Sequence, residues 1–374
     1  MRSLGVRILL LVLLLGLLAS GCGAEEPSAS GLSSCPKYAT GFGLEYLADG
    51  CRVVTDGEAR QLLLVPRGHK VPEAYRHLPV VHTPVRRVVV ASTTTAALLR
   101  PLEELESIIA VTTDREHWYI PEVRIGLEEG RIRLVGNDMG PLDYEAVLEL
   151  NPDLVFIYTG SPEDLQKLKK LEELKIPVAV DNSHRENHPL GRVEWVKFLA
   201  AFYGKEDRAE QYFQRVVENT EAVTRAVAGA TSRPRVLWGL IYQGEVYVPA
   251  GDSYVAKMIG MAGGDYLFKD LGGTGSATVS LEEFYRRGLE AEVFISSTLP
   301  NYGTTSIAKL VEQEKRLADL PVIRAGRVWC FQPWYYQSID KADEMFADLA
   351  AIFHPDLFRE VELKHHMKLP ATDR

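Results

Sequence analysis

The chain has 374 residues, 46% of them hydrophobic and 25% charged, with 30 Gly and 20 Pro, a globular composition long enough for two domains of ordinary size. The formal net charge is −9, and no basic run or basic–aromatic stripe occurs, so nucleic acid is not an expected partner.

At the N-terminus Arg2 and Arg7 precede an apolar run, Ile8 to Leu18, followed by "ASGC", Ala19 to Cys22. A basic start, a short apolar run and small residues before a cleavage point predict a signal peptide over residues 1–21. The run is too short to span a bilayer stably. "LLASGC" resembles a bacterial lipobox, in which Cys22 becomes the lipidated N-terminus; Ala19 stands where the pattern has Leu, so an ordinary cleaved signal is the alternative. The polar stretch that follows predicts a flexible tether over 22–34. Losing the leader removes two positive charges and leaves an exported, more acidic chain. Export permits a disulfide, and Cys35 and Cys51 flank an apparent hairpin, although connectivity cannot be read from spacing. Cys330, inside "VWCF", reads as a buried strand thiol.

Residues 35–83 read as a β extension: "GFGLEYL" and "CRVVT" flank the turn residues Asp49-Gly50, and "QLLLVP" follows. From residue 84 to 203 strand and helix alternate, with continuous apolar strands such as "RRVVVAS" and "DLVFIYT", which predicts a parallel sheet covered on both faces. "GRVEWVKFLAAFYG" carries apolar residues at helical spacing and ends at Gly204. The segment 204–229 predicts one long connecting helix, roughly 35 Å at 1.5 Å per residue. The β/α alternation resumes over 230–358, and 359–374 reads as a tail. The expected fold is α/β: two Rossmann-like lobes joined by a single long helix, with an extra N-terminal β-hairpin region. The two lobes echo each other. In "DYEAVLELNPDLVFI" Asp143 is an N-cap that puts Glu145 at the second helical position; in "SLEEFYRRGLEAEVFI" Ser280 does the same for Glu282. Helix-end electrostatics accounts for either glutamate taken singly.

"GPLDYEAV", "VLELNPDLVFI", "GGDYLFKD", "TVSLEEF" and "RVWCF" resemble the class III substrate-binding proteins of ABC importers, which handle ferric siderophores, haem and cobalamin; the resemblance covers about Val85 to Phe358. It implies a ligand in the cleft between two lobes, a lipid anchor to the membrane, and delivery to an ABC permease and its ATPase. It further implies that Glu145 and Glu282 dock to permease arginines, with Glu283 a rival for the second role. Neither catalysis nor a resident cofactor is implied, and a monomer is expected.

In parallel α/β lobes ligands sit at loops beyond the carboxyl ends of the strands. Those loops are unusually aromatic: Trp118, Tyr119, Tyr158, Tyr242, Tyr302, Trp334, Tyr335 and Tyr336. Such rings suit a bulky, partly conjugated complex, an iron chelate, haem or a corrinoid. Thr94 and Met139 lie on the same loops, and Arg185, with Arg115 and His184, is a cationic candidate for an anionic ligand. A molybdate-type oxyanion would use the Thr93 to Thr95 hydroxyls and helix amides instead. No histidine spacing marks a metal site, and "AGDSYVA" lacks the second glycine of a nucleophile elbow.

Overall fold

A computed structural model describes residues 32–34, 36–137 and 140–373. Among these, three sheets organise the chain. The first contains β1 (Leu32–Ser34), β2 (Gly43–Tyr46), β3 (Arg52–Thr55), β4 (Gln61–Pro66) and β5 (Val80–Thr83) in that order, antiparallel except for the β4–β5 pair. The second is wholly parallel. It contains β6 (Val88–Val90), β7 (Ile108–Val111), β8 (Arg133–Leu134), β9 (Leu154–Ile157) and β10 (Val178–Val180), in the order β10-β9-β6-β7-β8. Every residue of β6, β9 and β10 is buried, which is why these strands are written as unbroken apolar runs.

The helices of this lobe are α1 (Thr93–Leu99), α2 (Pro121–Glu128), α3 (Tyr144–Leu150) and α4 (Pro162–Glu173), and their starts are locally encoded. Ser92 caps α1 by accepting from the Thr94 amide at 3.2 Å, and Asp143 caps α3 by accepting from the Ala146 amide at 2.9 Å. Ser161 and Asp164 form a reciprocal capping box on α4.

Two helices then leave the lobe. In α5 (Pro189–Tyr203) the side chains are apolar nearly all round, because the helix is sandwiched between the first two sheets. Trp195 meets Phe42, just before β2 of the first sheet, at 5.0 Å between ring centroids, and Phe202 meets Phe156 of the second at 5.3 Å. Gly204 ends α5 at φ +68°, a left-handed position glycine occupies without a Cβ penalty. The long helix α6 (Glu206–Ala228) is amphipathic; its buried face includes Tyr212, Phe213, Val216 and Val217.

The third sheet contains β11 (Arg235–Tyr242), β12 (Glu245–Pro249), β13 (Asp265–Tyr266), β14 (Ser276–Val279), β15 (Val293–Ser296), β16 (Val328–Phe331) and β17 (His366–Lys368). Its order is β14-β12-β11-β15-β16-β17, with β13 alongside β11. The β11, β15 and β16 core is parallel. Around it lie α7 (Tyr254–Met261), α8 (Leu281–Gly288), α9 (Ile307–Gln313), α10 (Pro321–Arg324) and α11 (Ala342–Phe353). Its principal apolar cluster is distinct from that of the first lobe. The architecture is the expected α/β pair of lobes.

Three expectations are corrected. The N-terminal β region is a separate five-stranded sheet, not a hairpin added to the first lobe, and its β1 lies in the stretch read as tether over 22–34. One face of this sheet joins the first lobe's core through Phe42, Leu44, Val54, Leu62 and Leu64, while the other builds a small core of its own around Val53, Leu63 and Val65. The tail 359–374 contains β17, which completes the third sheet by pairing with β16. Cys51 is a buried free thiol, while Cys35 and Cys22, the expected disulfide partner and lipidation site, lie outside the described residues. Cys330 is buried, and burial pushes its thiol up to about 12. Among the described residues no helix is long and apolar enough to cross a membrane.

The β3–β4 turn shows what the extra sheet does for the first lobe. It lies against β10, the edge strand of the parallel sheet. The Gly57 amide donates to the Val180 carbonyl at 2.9 Å, Val180 donates to Asp56 Oδ2 at 3.1 Å, and Arg60 donates to the Val178 carbonyl at 3.0 Å. An exposed edge is thereby paired and closed to other chains. Gly57 is required by close approach, since a Cβ there would stand 2.7 Å from that of Asn182.

Candidate functional site

The strand order of the parallel sheet reverses at β6, and the loops leaving the carboxyl ends of β6, β7, β9 and β10 converge there. They face the loops after β15 and β16 across a cavity of about 890 Å³. The first lobe contributes Ser92, Thr93 and Thr94 at the start of α1, His117 and Tyr119 after β7, Tyr158 after β9, and Asp181 and His184 after β10. The second lobe contributes Leu299, Asn301, Pro333, Tyr336 and Gln337.

Several of these groups are held rigidly. Asp181 is buried and accepts from Thr95 Oγ1 at 2.7 Å and from the Ser183 amide at 3.0 Å. Burial holds the His184 imidazole below its ordinary pKa, against the opposing pull of Asp181, so the ring is neutral near pH 7. It meets the Tyr158 ring edge-on at 5.9 Å. Burial would raise the Asp164 carboxyl, but Lys167, the Ser161 hydroxyl and the Gly160 amide outweigh it and hold that group below the usual range.

Gln337 and Arg100 join the two lobes beside the cavity. Gln337, only 7% exposed, accepts the Tyr119 amide at 2.8 Å and donates to the His117 carbonyl at 2.6 Å. Its own carbonyl accepts from Arg100 at 2.7 Å, and Arg100 is ion-paired with Asp340 at 3.2 Å. The cavity loops of the two lobes are therefore set in register by hydrogen bonds between residues more than 200 positions apart, as for Gln337 and His117 with a separation of 220.

Of the residues picked out in sequence, Thr94, Tyr119, Tyr158 and Tyr336 line the cavity together. Others do not. Trp118 is 1% exposed and donates its indole N–H to the Thr113 carbonyl, so it packs behind the loop. Tyr335 is buried, stacked on Phe331 at 3.9 Å. Tyr242 projects from the β11–β12 hairpin at 58% exposure, away from the cavity lining. Trp334 sits at the rim, its indole donating to the Lys364 carbonyl and its ring 6.5 Å from that of Tyr119. Arg185 is consumed by Glu58 of the β3–β4 turn at 3.0 Å. Tyr302 lies in the turn Pro300–Tyr302 beside Asn301, and Met139 is outside the described residues. Lys167 and Arg192 were not picked out. For Arg192 a signal existed: it stands in the first turns of the helix that follows the β10 loop, at the same end of the sheet as the cavity.

Both echo glutamates stand at the second position of capped helices, Glu145 in α3 and Glu282 in α8. Both are exposed, and neither has a hydrogen-bond or ion-pair partner among the described residues. Glu283, by contrast, is clamped by Arg286 at 2.7 Å and Arg287 at 2.6 Å. Among the described residues no cluster of three or more His, Cys, Asp and Glu could hold a metal ion.

Two α/β lobes around a preformed cleft at the carboxyl ends of their strands define a solute-binding protein fold. The chain belongs to the periplasmic binding protein family, whose model matches residues 88–332. It is 34% identical over 320 residues to an uncharacterized lipoprotein of Methanocaldococcus jannaschii, covering 82% of this chain and 76% of that one. Among solved structures it is similar to the periplasmic haem-binding protein RhuT from Roseiflexus sp. RS-1, with TM-score 0.59 and 22% identity over 73% of this chain and 99% of that one. It is also similar to the molybdate-binding protein MolA of Haemophilus influenzae, with TM-score 0.61 and 16% identity over 83% and 94%.

Proposed function

We propose that the protein captures an iron chelate, haem or a corrinoid in the interlobe cavity, without chemical turnover, and delivers it to an ABC permease and its ATPase. The observation that carries this reading is the size and lining of the cavity. About 890 Å³ lies within the range that encloses small organic ligands, and its walls carry Tyr119, Tyr158, Tyr336, His117 and His184. A tetrahedral oxyanion, a few times the ~30 Å³ of a water molecule, would fill only a small part of that space. Tyrosine and neutral imidazole are also the side chains that ligate haem iron. In the same reading Cys22 carries the lipid that holds the protein at the extracytoplasmic face of the membrane, a placement supported by the lipoprotein named among its relatives. Glu145 and Glu282 are the permease contacts.

The test is a fluorescence titration of the purified protein with haemin, cobalamin, a ferric hydroxamate and molybdate. The expected result is stoichiometric quenching by one of the first three, with the ligand recovered unchanged. Saturable binding of molybdate alone would overturn the reading.

A further inference from the structure

We infer that Arg192 is the anion-recognition residue of the cleft, and that the captured complex carries an anionic oxygen-bearing substituent, a carboxylate, which docks against it. This rests on the chelate reading above and adds the charge of the ligand and its orientation.

Arg192 stands where the main cavity meets a second, narrow one of about 30 Å³, and it lines both. The smaller space is bounded by Pro189, Tyr254, Met258, Ile339 and Met345, and Tyr336 is common to the two. The guanidinium lies 4.2 Å from the Tyr254 ring centroid, so one flat face is covered while the N–H edges are left for acceptors in the guanidinium plane. Those edges have no acidic partner among the described residues. Nε is fully buried and makes no hydrogen bond, so the Nη edges are the donors that face the cavity.

Three other cations near the site are each paired with a carboxylate, although Arg100 Nε, like Arg192 Nε, makes no hydrogen bond. Lys167 is paired with Asp164 at 3.2 Å, Arg185 with Glu58 at 3.0 Å, and Arg100 with Asp340 at 3.2 Å. Asp181 is satisfied by Thr95 and Ser183. In a chain of net charge −9, an anionic ligand needs a local cation that is not already neutralised, and Arg192 is in that position. A planar carboxylate matches the in-plane donors of a guanidinium in a way the compact ammonium of lysine does not.

The experiment compares haemin with its dimethyl ester, which keeps the macrocycle and metal but lacks the two carboxylates, on the wild-type protein and on Arg192→Gln and Arg192→Lys. The wild type is expected to bind haemin at least about tenfold more tightly than the ester. Arg192→Gln should lower haemin affinity roughly ten- to hundredfold and leave the ester within about twofold, with Arg192→Lys intermediate. Equal affinity for acid and ester, or an equal loss of both in Arg192→Gln, would overturn the inference and leave the chelate reading standing. Tight binding of cobalamin or a neutral ferric hydroxamate that Arg192→Gln does not change would do the same. If no chelate binds the wild type, both fall together.

Discussion

Glu194→Ala is expected to destabilise the protein by about 3–5 kcal/mol, the range for removing one partner of a buried charged network. Glu194 is fully buried on α5, and its carboxylate accepts three consecutive backbone amides, Lys37 at 2.9 Å, Tyr38 at 2.7 Å and Ala39 at 2.9 Å. The next two amides, Thr40 and Gly41, go to Glu186, which also accepts the Trp195 indole N–H at 2.9 Å. The segment between β1 and β2 thus has no strand partner for these amides and uses two carboxylates instead. Deleting one leaves up to three donors unsatisfied at about 1–3 kcal/mol each, reduced by whatever water reaches them. Urea unfolding measures the loss, and hydrogen exchange at residues 37–39 should show those amides opening before the rest of the lobe. A loss below about 1 kcal/mol with the amides still protected would contradict this role.

Glu145→Ala combined with Glu282→Ala is expected to leave ligand affinity unchanged and to remove most of the stimulation of the cognate transporter's ATPase. Each glutamate is exposed and unpartnered at the start of a capped helix, one on each lobe, so neither has a structural bond to lose. Truncating one partner of an interfacial charge pair costs about 2–5 kcal/mol when the pair is desolvated, and less at a rim. Each single change should therefore weaken coupling about tenfold or more, and the double change should be the product if the two contacts are independent. Glu283→Ala is the internal control. Its carboxyl is held down to about 2 by Arg286 and Arg287, a local clamp, and its removal should cost little coupling. Loss of ligand binding in either glutamate variant, with coupling spared, would contradict the assignment.

The lobes were legible in the sequence because their determinants are local. Unbroken apolar runs such as Leu154–Ile157 and Val293–Ile295 lie in buried strands, and Asp143 and Ser280 are N-caps in the structure as in the pattern. What was not legible depends on contacts between distant residues. Residue type marked Trp118 and Tyr335 as amphipathic rings on loops, but which way a ring turns is decided by packing, and both turned inward. Arg185 looked like a free cation because its partner Glu58 is 127 positions away on a sheet that local pattern had reduced to a hairpin. Arg192 was hidden for the converse reason. It lies within an ordinary helical context, and only the meeting of the two lobes gives it a role at the cavity.

The most direct measurement is the absorption spectrum and metal content of the protein purified under native conditions from its own host. The expected result is a coloured protein carrying close to one equivalent of a metal complex, seen as a Soret band, a corrinoid spectrum or a ferric charge-transfer band. A colourless protein carrying stoichiometric molybdenum or tungsten would contradict it.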